Sequence, residues 1–180
     1  TWSPSSRGFY LERLVRLYDS RSPSYSVEDA VACCASDGRA LGPRQRSYDW
    51  LRRGNGRDVR VEAKSAAFQW GSTSSSWCVC FTAIKENAFD CLLLLLYAPW
   101  GVELWEYNLE KRVGMSSAEK SRTAGGASVF IGGRASDRCL VSAWRQSIRP
   151  RLTTTAAHLA TWAWGDDLFA ELAALDSKKA

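Results

Sequence analysis

The chain has little of what metal cages, disulfide scaffolds and membrane spans are made from. It holds a single histidine, His158, in 180 residues, so a His-rich metal site is excluded. Six cysteines are too few for a disulfide scaffold, and their spacing is wrong for zinc. Cys33 and Cys34 are adjacent, Cys78 and Cys80 are two apart, and Cys91 and Cys139 stand alone, so none forms the C-x2–4-C pair of a tetrahedral site. The expectation is reduced, mostly buried thiols, as in a cytoplasmic protein, and no local feature supports a Cys–His nucleophile pair. The longest purely apolar run, Cys91–Ala98, has eight residues against the ~20 that a helix needs to cross a bilayer. No basic-then-apolar leader opens the chain, and it begins at Thr1. The expectation is a cytoplasmic location, no membrane contact, and a short leading piece absent from the sequence.

What is present is a globular composition, 46% hydrophobic and 24% charged. A length of 180 residues fits one compact domain able to bury a real core. The formal net charge of +5 is unevenly placed. Positions 39–60 carry seven arginines and two aspartates, positions 132–151 five arginines and one aspartate, and the rest of the chain is net negative. Arginine outnumbers lysine 18 to 6, and its fork suits phosphates and guanine edges. Either a GC-rich genome or a nucleic-acid partner accounts for this bias. Within it Arg44, Arg46, Arg52, Arg53, Arg145, Arg149 and Arg151 are candidate contacts to nucleic acid.

Leu11, Leu14, Val15 and Tyr18 recur at i, i+3, i+4 and i+7, which predicts an amphipathic helix over about 8–18. Ser26 with Asp29 three residues on resembles a capping pair ahead of the stripe Val27, Ala30, Val31 and Cys34. A second helix is therefore expected, stopped by Gly38 and Gly42-Pro43. From Ser47 the period changes to two. Segments 48–51, 59–64 and 77–84 read as strands, 91–98 as a central strand buried on both faces, and 102–107 as the next. Segment 108–128 reads as loop with one short helix, 129–131 as an edge strand, and about 153–174 as helix broken near Trp164-Gly165. The fold expected is a single α/β domain over 1–180. It has a helical part at about 8–42, a mixed central β-sheet flanked by helices at about 47–107, and a basic loop with C-terminal helices at about 108–180.

The chemistry lies at a turn. Gly54-Asn55-Gly56 separates two strands, and Asn-Gly is a preferred hairpin turn because both positions tolerate positive φ. A two-residue turn there sets Trp50 opposite Val61 and Tyr48 opposite Ala63 on an apolar side. On the polar side Asp49 faces Glu62 and Ser47 faces Lys64. A slip of one residue would set Asp49 against an apolar partner, so the pattern supports this register. Opposed Cβ atoms lie about 4.5–5.5 Å apart, and two carboxylates that close repel unless a cation intervenes. Mg2+ takes oxygen ligands and needs only one or two carboxylates. Lys64 shares the face two residues beyond Glu62. Two acids and an amine can hold a metal and orient a water against a phosphodiester; an ordinary cross-strand ion cluster, Asp49–Arg60 or Glu62–Lys64, would use the same residues.

Asp49 followed thirteen residues later by Glu62-Ala63-Lys64 resembles the PD-(D/E)xK nuclease superfamily, the fold of many restriction endonucleases. The phrase VEAKSAAFQW, a Trp-containing strand, Ile84-Lys85 and FDCLLLLLYAP extend the likeness over roughly 9–107. Tyr48 stands where the motif's proline would be, and the stretch between Ile84 and Cys91 leaves little room for the helix many members place there. The resemblance implies a restriction-endonuclease-like core, with Mg2+ (or Mn2+ in its place) held by Asp49, Glu62 and the Ala63 carbonyl. It implies that Lys64 positions or helps deprotonate the attacking water and offsets charge on the pentacovalent phosphate. Products with 5′-phosphate and 3′-hydroxyl ends follow from the same likeness. Members often add an acidic residue from the first helix, for which Glu12 is the candidate. Some add a polar residue after the ExK strand, for which Gln69 is.

Among nine tryptophans, Trp50, Trp77, Trp100 and Trp105 are expected in the core. Trp144, amid Arg138, Arg145, Arg149 and Arg151, is either a platform for an unpaired base or an anchor under a basic helix. Lys85 is either a phosphate contact or a solvated strand end, His158 a packed or surface histidine on a helix, and Asp166-Asp167 a helix cap. The expectation is a Mg2+-dependent DNA endonuclease of restriction or defence type, acting on DNA as a homodimer because one site cuts one strand. The alternatives are a nucleic-acid-binding module with a vestigial nuclease site, and a repair or junction-processing nuclease. A carboxylate-pair glycosidase ranks last, since it leaves Lys64 and the basic stretches without a role.

Overall fold

The computed structural model describes residues 4–29, 48–54, 56–72, 75–85, 88–116, 126–165, 168 and 170. Helix α1 (Pro4–Ser20) forms where Leu11, Leu14 and Val15 fall on one stripe, and all three are buried. Strands β1 (Ser26–Asp29), β2 (Trp50–Gly54), β3 (Arg57–Ala67), β4 (Gln69–Trp70), β5 (Ser76–Ile84), β6 (Cys91–Ala98), β7 (Gly101–Tyr107), β8 (Met115–Ser116) and β9 (Ala127–Arg134) follow. Then come α2 (Leu140–Ala143), a π-helical turn (Trp144–Ile148), α3 (Arg149–Thr155) and β10 (Ala156–Ala163).

The strands form two sheets, not the single one expected. The first is mixed, in the order β1-β2-β3-β6-β7-β10; β3 and β6 run parallel and the other neighbours antiparallel. The second is antiparallel, in the order β4-β5-β9-β8. Parallel neighbours require a crossover. Here β4 and β5 supply it from the second sheet, so the short stretch between Ile84 and Cys91 needs no helix.

Strand β6 divides the interior. Cys91, Leu93 and Leu95 pack with Leu11, Leu14, Val15, Trp50 and Val61 beneath α1. Leu92, Leu94 and Leu96 pack with Val79, Phe81, Val129, Ile148 and Leu152 between the two sheets and the α2–α3 segment. Each fully buried leucine contributes about 2 kcal/mol of transfer free energy, so β6 stabilises two cores at once, as its unbroken apolar run predicts. The layers are α1, the mixed sheet, and the second sheet with the α2–α3 segment.

Other expectations change with the sheets. The helix expected from Ser26 is, over Ser26–Asp29, strand β1 paired with β2; the remainder of that helix, with Gly38 and Gly42-Pro43, lies outside the described residues. Segment 129–131 is not an edge strand, because β9 runs between β5 and β8. Of the helix expected over 153–174, the first part ends at Thr155, and Ala156–Ala163 is a strand against β7 with Trp162 opposite Val102. His158 therefore sits on a strand. Alanines 156, 160 and 163 mimic a helix face, and pairing with β7 overrides that pattern. Past Gly165 the described residues Leu168 and Ala170 are helical as expected; Asp166 and Asp167 lie outside the described residues. Trp50, Trp77 and Trp105 are buried as expected. Trp144 packs on Trp100 with ring centroids 4.6 Å apart, which favours the anchor role. No helix among the described residues is long and apolar enough to cross a membrane.

Candidate active site

The β2–β3 hairpin positions the acidic residues. Gly56 has φ +82°, the left-handed conformation that the turn needs; Asn55 lies outside the described residues. The register is the expected one, Trp50 opposite Val61 through Gly54 opposite Arg57. At Asp49 it breaks. The Asp49 N–H donates to the Val61 carbonyl at 2.8 Å, one position short of the ladder, and Asp49 Oδ2 accepts the Ala63 N–H at 2.7 Å. A continued ladder would have given that N–H to the Tyr48 carbonyl. Asp49 is therefore not squarely opposite Glu62: its carboxylate turns along the edge of β3 and replaces a backbone acceptor.

Strand β3 has 11 residues and β2 only 5. Beyond Val61, no described strand pairs with β3 on the β2 side. In a strand the N–H and C=O of one residue leave toward the same edge, so the Ala63 carbonyl points where its N–H meets Asp49. Glu12 comes to this edge from α1. A cleft of about 160 Å3 is lined there by Gly8, Glu12, Ala63, Lys64, Ser65 and Leu95. Gly8 sits inside a helix, where glycine costs roughly 1 kcal/mol against alanine. That local conflict was the one signal in the sequence that could have marked Gly8 as a cleft residue.

Glu62 is 3% exposed and is ion-paired through Oε1 with the half-buried Lys64 ammonium. Burial, then the charge of Asp49, push its carboxyl up to about 7 against the pull of Lys64 and Lys85. Glu12 shows more surface, yet desolvation of its carboxyl, then Asp49 and Glu62, raise it to about 7 as well, opposed by Lys64 and Arg16. The charges of Asp49, Lys64 and Lys85 thus act on Glu62, and those of Asp49, Glu62 and Lys64 on Glu12. Among the described residues no three His, Cys, Asp or Glu side chains group closely enough to hold a metal ion by themselves.

The remaining candidates lie elsewhere. Gln69 is in β4, in the second sheet, roughly 16 Å of extended chain beyond Lys64. Arg52 turns inward: Nε and Nη2 donate to Asp19 at 2.7 and 2.8 Å, and Nη1 to Cys91 Sγ at 3.5 Å. Arg53 pairs with Glu28 at 2.8 Å and Asp58 at 3.7 Å. Arg145, Arg149 and Arg151 are exposed on the π turn and α3. Arg44 and Arg46 lie outside the described residues. A hub that sequence reasoning missed is Asp19, a buried carboxylate at the end of α1 whose role no motif announces.

No protein-family model and no curated protein matches the chain. Among solved structures, a bacterial homing endonuclease matches at 12% identity and a TM-score of 0.38, over 86% of this chain and 97% of that one. An overlap that loose carries no argument about fold or activity.

Proposed function

We propose that the chain is a metal-dependent nuclease acting on DNA. The observation that supports this best is the convergence of the Asp49 carboxylate, the buried Glu62–Lys64 pair and Glu12 around the open edge of β3. The donors suit a hard cation: two carboxylates and the Ala63 carbonyl are oxygens only, the ligands Mg2+ and Mn2+ take. A cation beside Glu62 would also relieve the like charges that raise its carboxyl. Asp49, Glu62 and the Ala63 carbonyl would hold it, and when bound it would supply a polarised phosphoryl oxygen and a water acidic enough to act near neutral pH. Asp49 is already oriented by the Ala63 N–H. Lys64 orients the attacking water and offsets charge on the phosphate, and Glu12 faces the same cleft as a proton acceptor.

The Asp49…Glu62-Ala63-Lys64 pattern, similar to that of the PD-(D/E)xK superfamily, supports an activity of restriction or defence type. Cutting both strands of a duplex with one site per chain calls for two copies or two successive nicks. Supercoiled plasmid with Mg2+ tests the activity: Asp49→Asn, Glu62→Gln and Lys64→Ala should each lower nicking by at least ~10²-fold, and unchanged cleavage by all three ends the proposal. The lack of a third clustered metal-binding side chain among the described residues favours a second reading, a nucleic-acid-binding module with a vestigial site. It predicts salt-sensitive binding with no nicking in Mg2+ or Mn2+.

A further inference from the structure

Strand β5 is irregular where it approaches the site. Phe81 pairs with Val129, but the next matched pair is Ile84 with Ala127, so Thr82 and Ala83 together stand opposite Ser128. This is a one-residue β-bulge. Ala83 adopts a φ of +59°, a left-handed conformation that strains a residue with a side chain. Gly126, just before β9, permits the approach, since a Cβ there would lie 3.0 Å from the Ile84 carbonyl oxygen.

The bulge inverts the alternation of side chains. Trp77, Val79 and Phe81 point into the core, and a regular strand would send Lys85 inward after them and Ile84 outward. Instead Ile84 is fully buried and Lys85 is released from the core at the start of the loop connecting to β6. That loop is tied down. The Ala88 N–H donates to the Lys85 carbonyl at 3.2 Å and the Asp90 N–H to the Arg60 carbonyl at 2.8 Å. The Asp90 carboxylate also accepts the Arg60 backbone N–H and its guanidinium at 2.9–3.0 Å. Arg60 is two residues before Glu62, so the end of this loop is fixed beside the part of β3 that carries Glu62, and the Lys85 charge opposes the rise of the Glu62 carboxyl. Bulges recur beside sites where a side chain must be re-aimed.

We propose that this bulge serves to deliver Lys85 to the candidate site, where its ammonium binds a backbone phosphate of the DNA at the position of cleavage. The proposal rests on the nuclease reading. The test is fluorescence anisotropy of a labelled duplex oligonucleotide in EDTA, titrated over about 50–200 mM salt, with a plasmid-nicking assay in parallel. Lys85→Ala and Lys85→Gln should bind about tenfold more weakly at 0.1 M salt, and the slope of log K against log salt should become shallower by about one. Lys85→Arg should keep both. Lost packing alone would not change the slope. Wild-type affinity and slope in Lys85→Ala and Lys85→Gln, while Glu62→Gln still abolishes nicking, would overturn this inference and leave the nuclease reading standing. A wild-type chain that neither binds nor nicks would overturn both.

Discussion

Two buried carboxylates on either side of the β2–β3 hairpin have opposite surroundings. Asp19 is 1% exposed and accepts four bonds, from the Tyr25 hydroxyl, the Trp50 indole, and two nitrogens of Arg52, all at 2.7–2.8 Å. Glu62 is nearly as buried but has the charge of Asp49 acting on it and an ion pair to one lysine. The Asp19 carboxylate, at the end of α1, is tied to Tyr25 ahead of β1 and to Trp50 and Arg52 of β2. At Glu62 burial, then the charge of Asp49, push the carboxyl up to about 7. A buried acid with a complete set of donors marks structure. A buried acid crowded by like charge marks a place where a cation or a proton is wanted.

The largest effect should come from breaking the first of the two. Asp19→Ala leaves Arg52 buried without its carboxylate and should cost about 3–5 kcal/mol in urea unfolding. A loss under ~1 kcal/mol would mean that the four bonds do little. A smaller effect of opposite sense is expected at the site. Glu62 and Glu12 hold their protons more tightly in the folded chain than at the ordinary value of 4.5. The folded state therefore carries extra protons between about 4.5 and about 7 and loses stability as pH rises through that window. In EDTA the wild type should be less stable at pH 8 than at pH 5 by about 1–3 kcal/mol. Glu62→Gln should flatten the change. A rise in stability over that range, or an unaltered fall in Glu62→Gln, would break the comparison.

The hairpin and the central strand were legible in the sequence, for different reasons, while the Asp19 hub was not. The hairpin register followed from Gly54-Asn55-Gly56, since a tight turn leaves one pairing that keeps Trp50 and Val61 together. Strand β6 followed from eight apolar residues too few to span a membrane and too apolar for a surface helix. The step at Asp49 was not legible, because a carboxylate capturing the Ala63 N–H depends on where β2 ends. Arg52 read as a phosphate contact because composition reports charge and not partners. Strand β10 read as helix because its alanines fit both periods, and only the neighbouring β7 decides between them. The second sheet was hidden because alternation announces strands without saying which sheet they join.

Manganese binding tests the central claim most directly. Calorimetric titration of Mn2+ into the wild type should find one bound ion per chain. That ion should be lost in Asp49→Asn and in Glu62→Gln and kept in Asp19→Asn. No binding by the wild type, or the same affinity in Asp49→Asn and Glu62→Gln, would contradict the account.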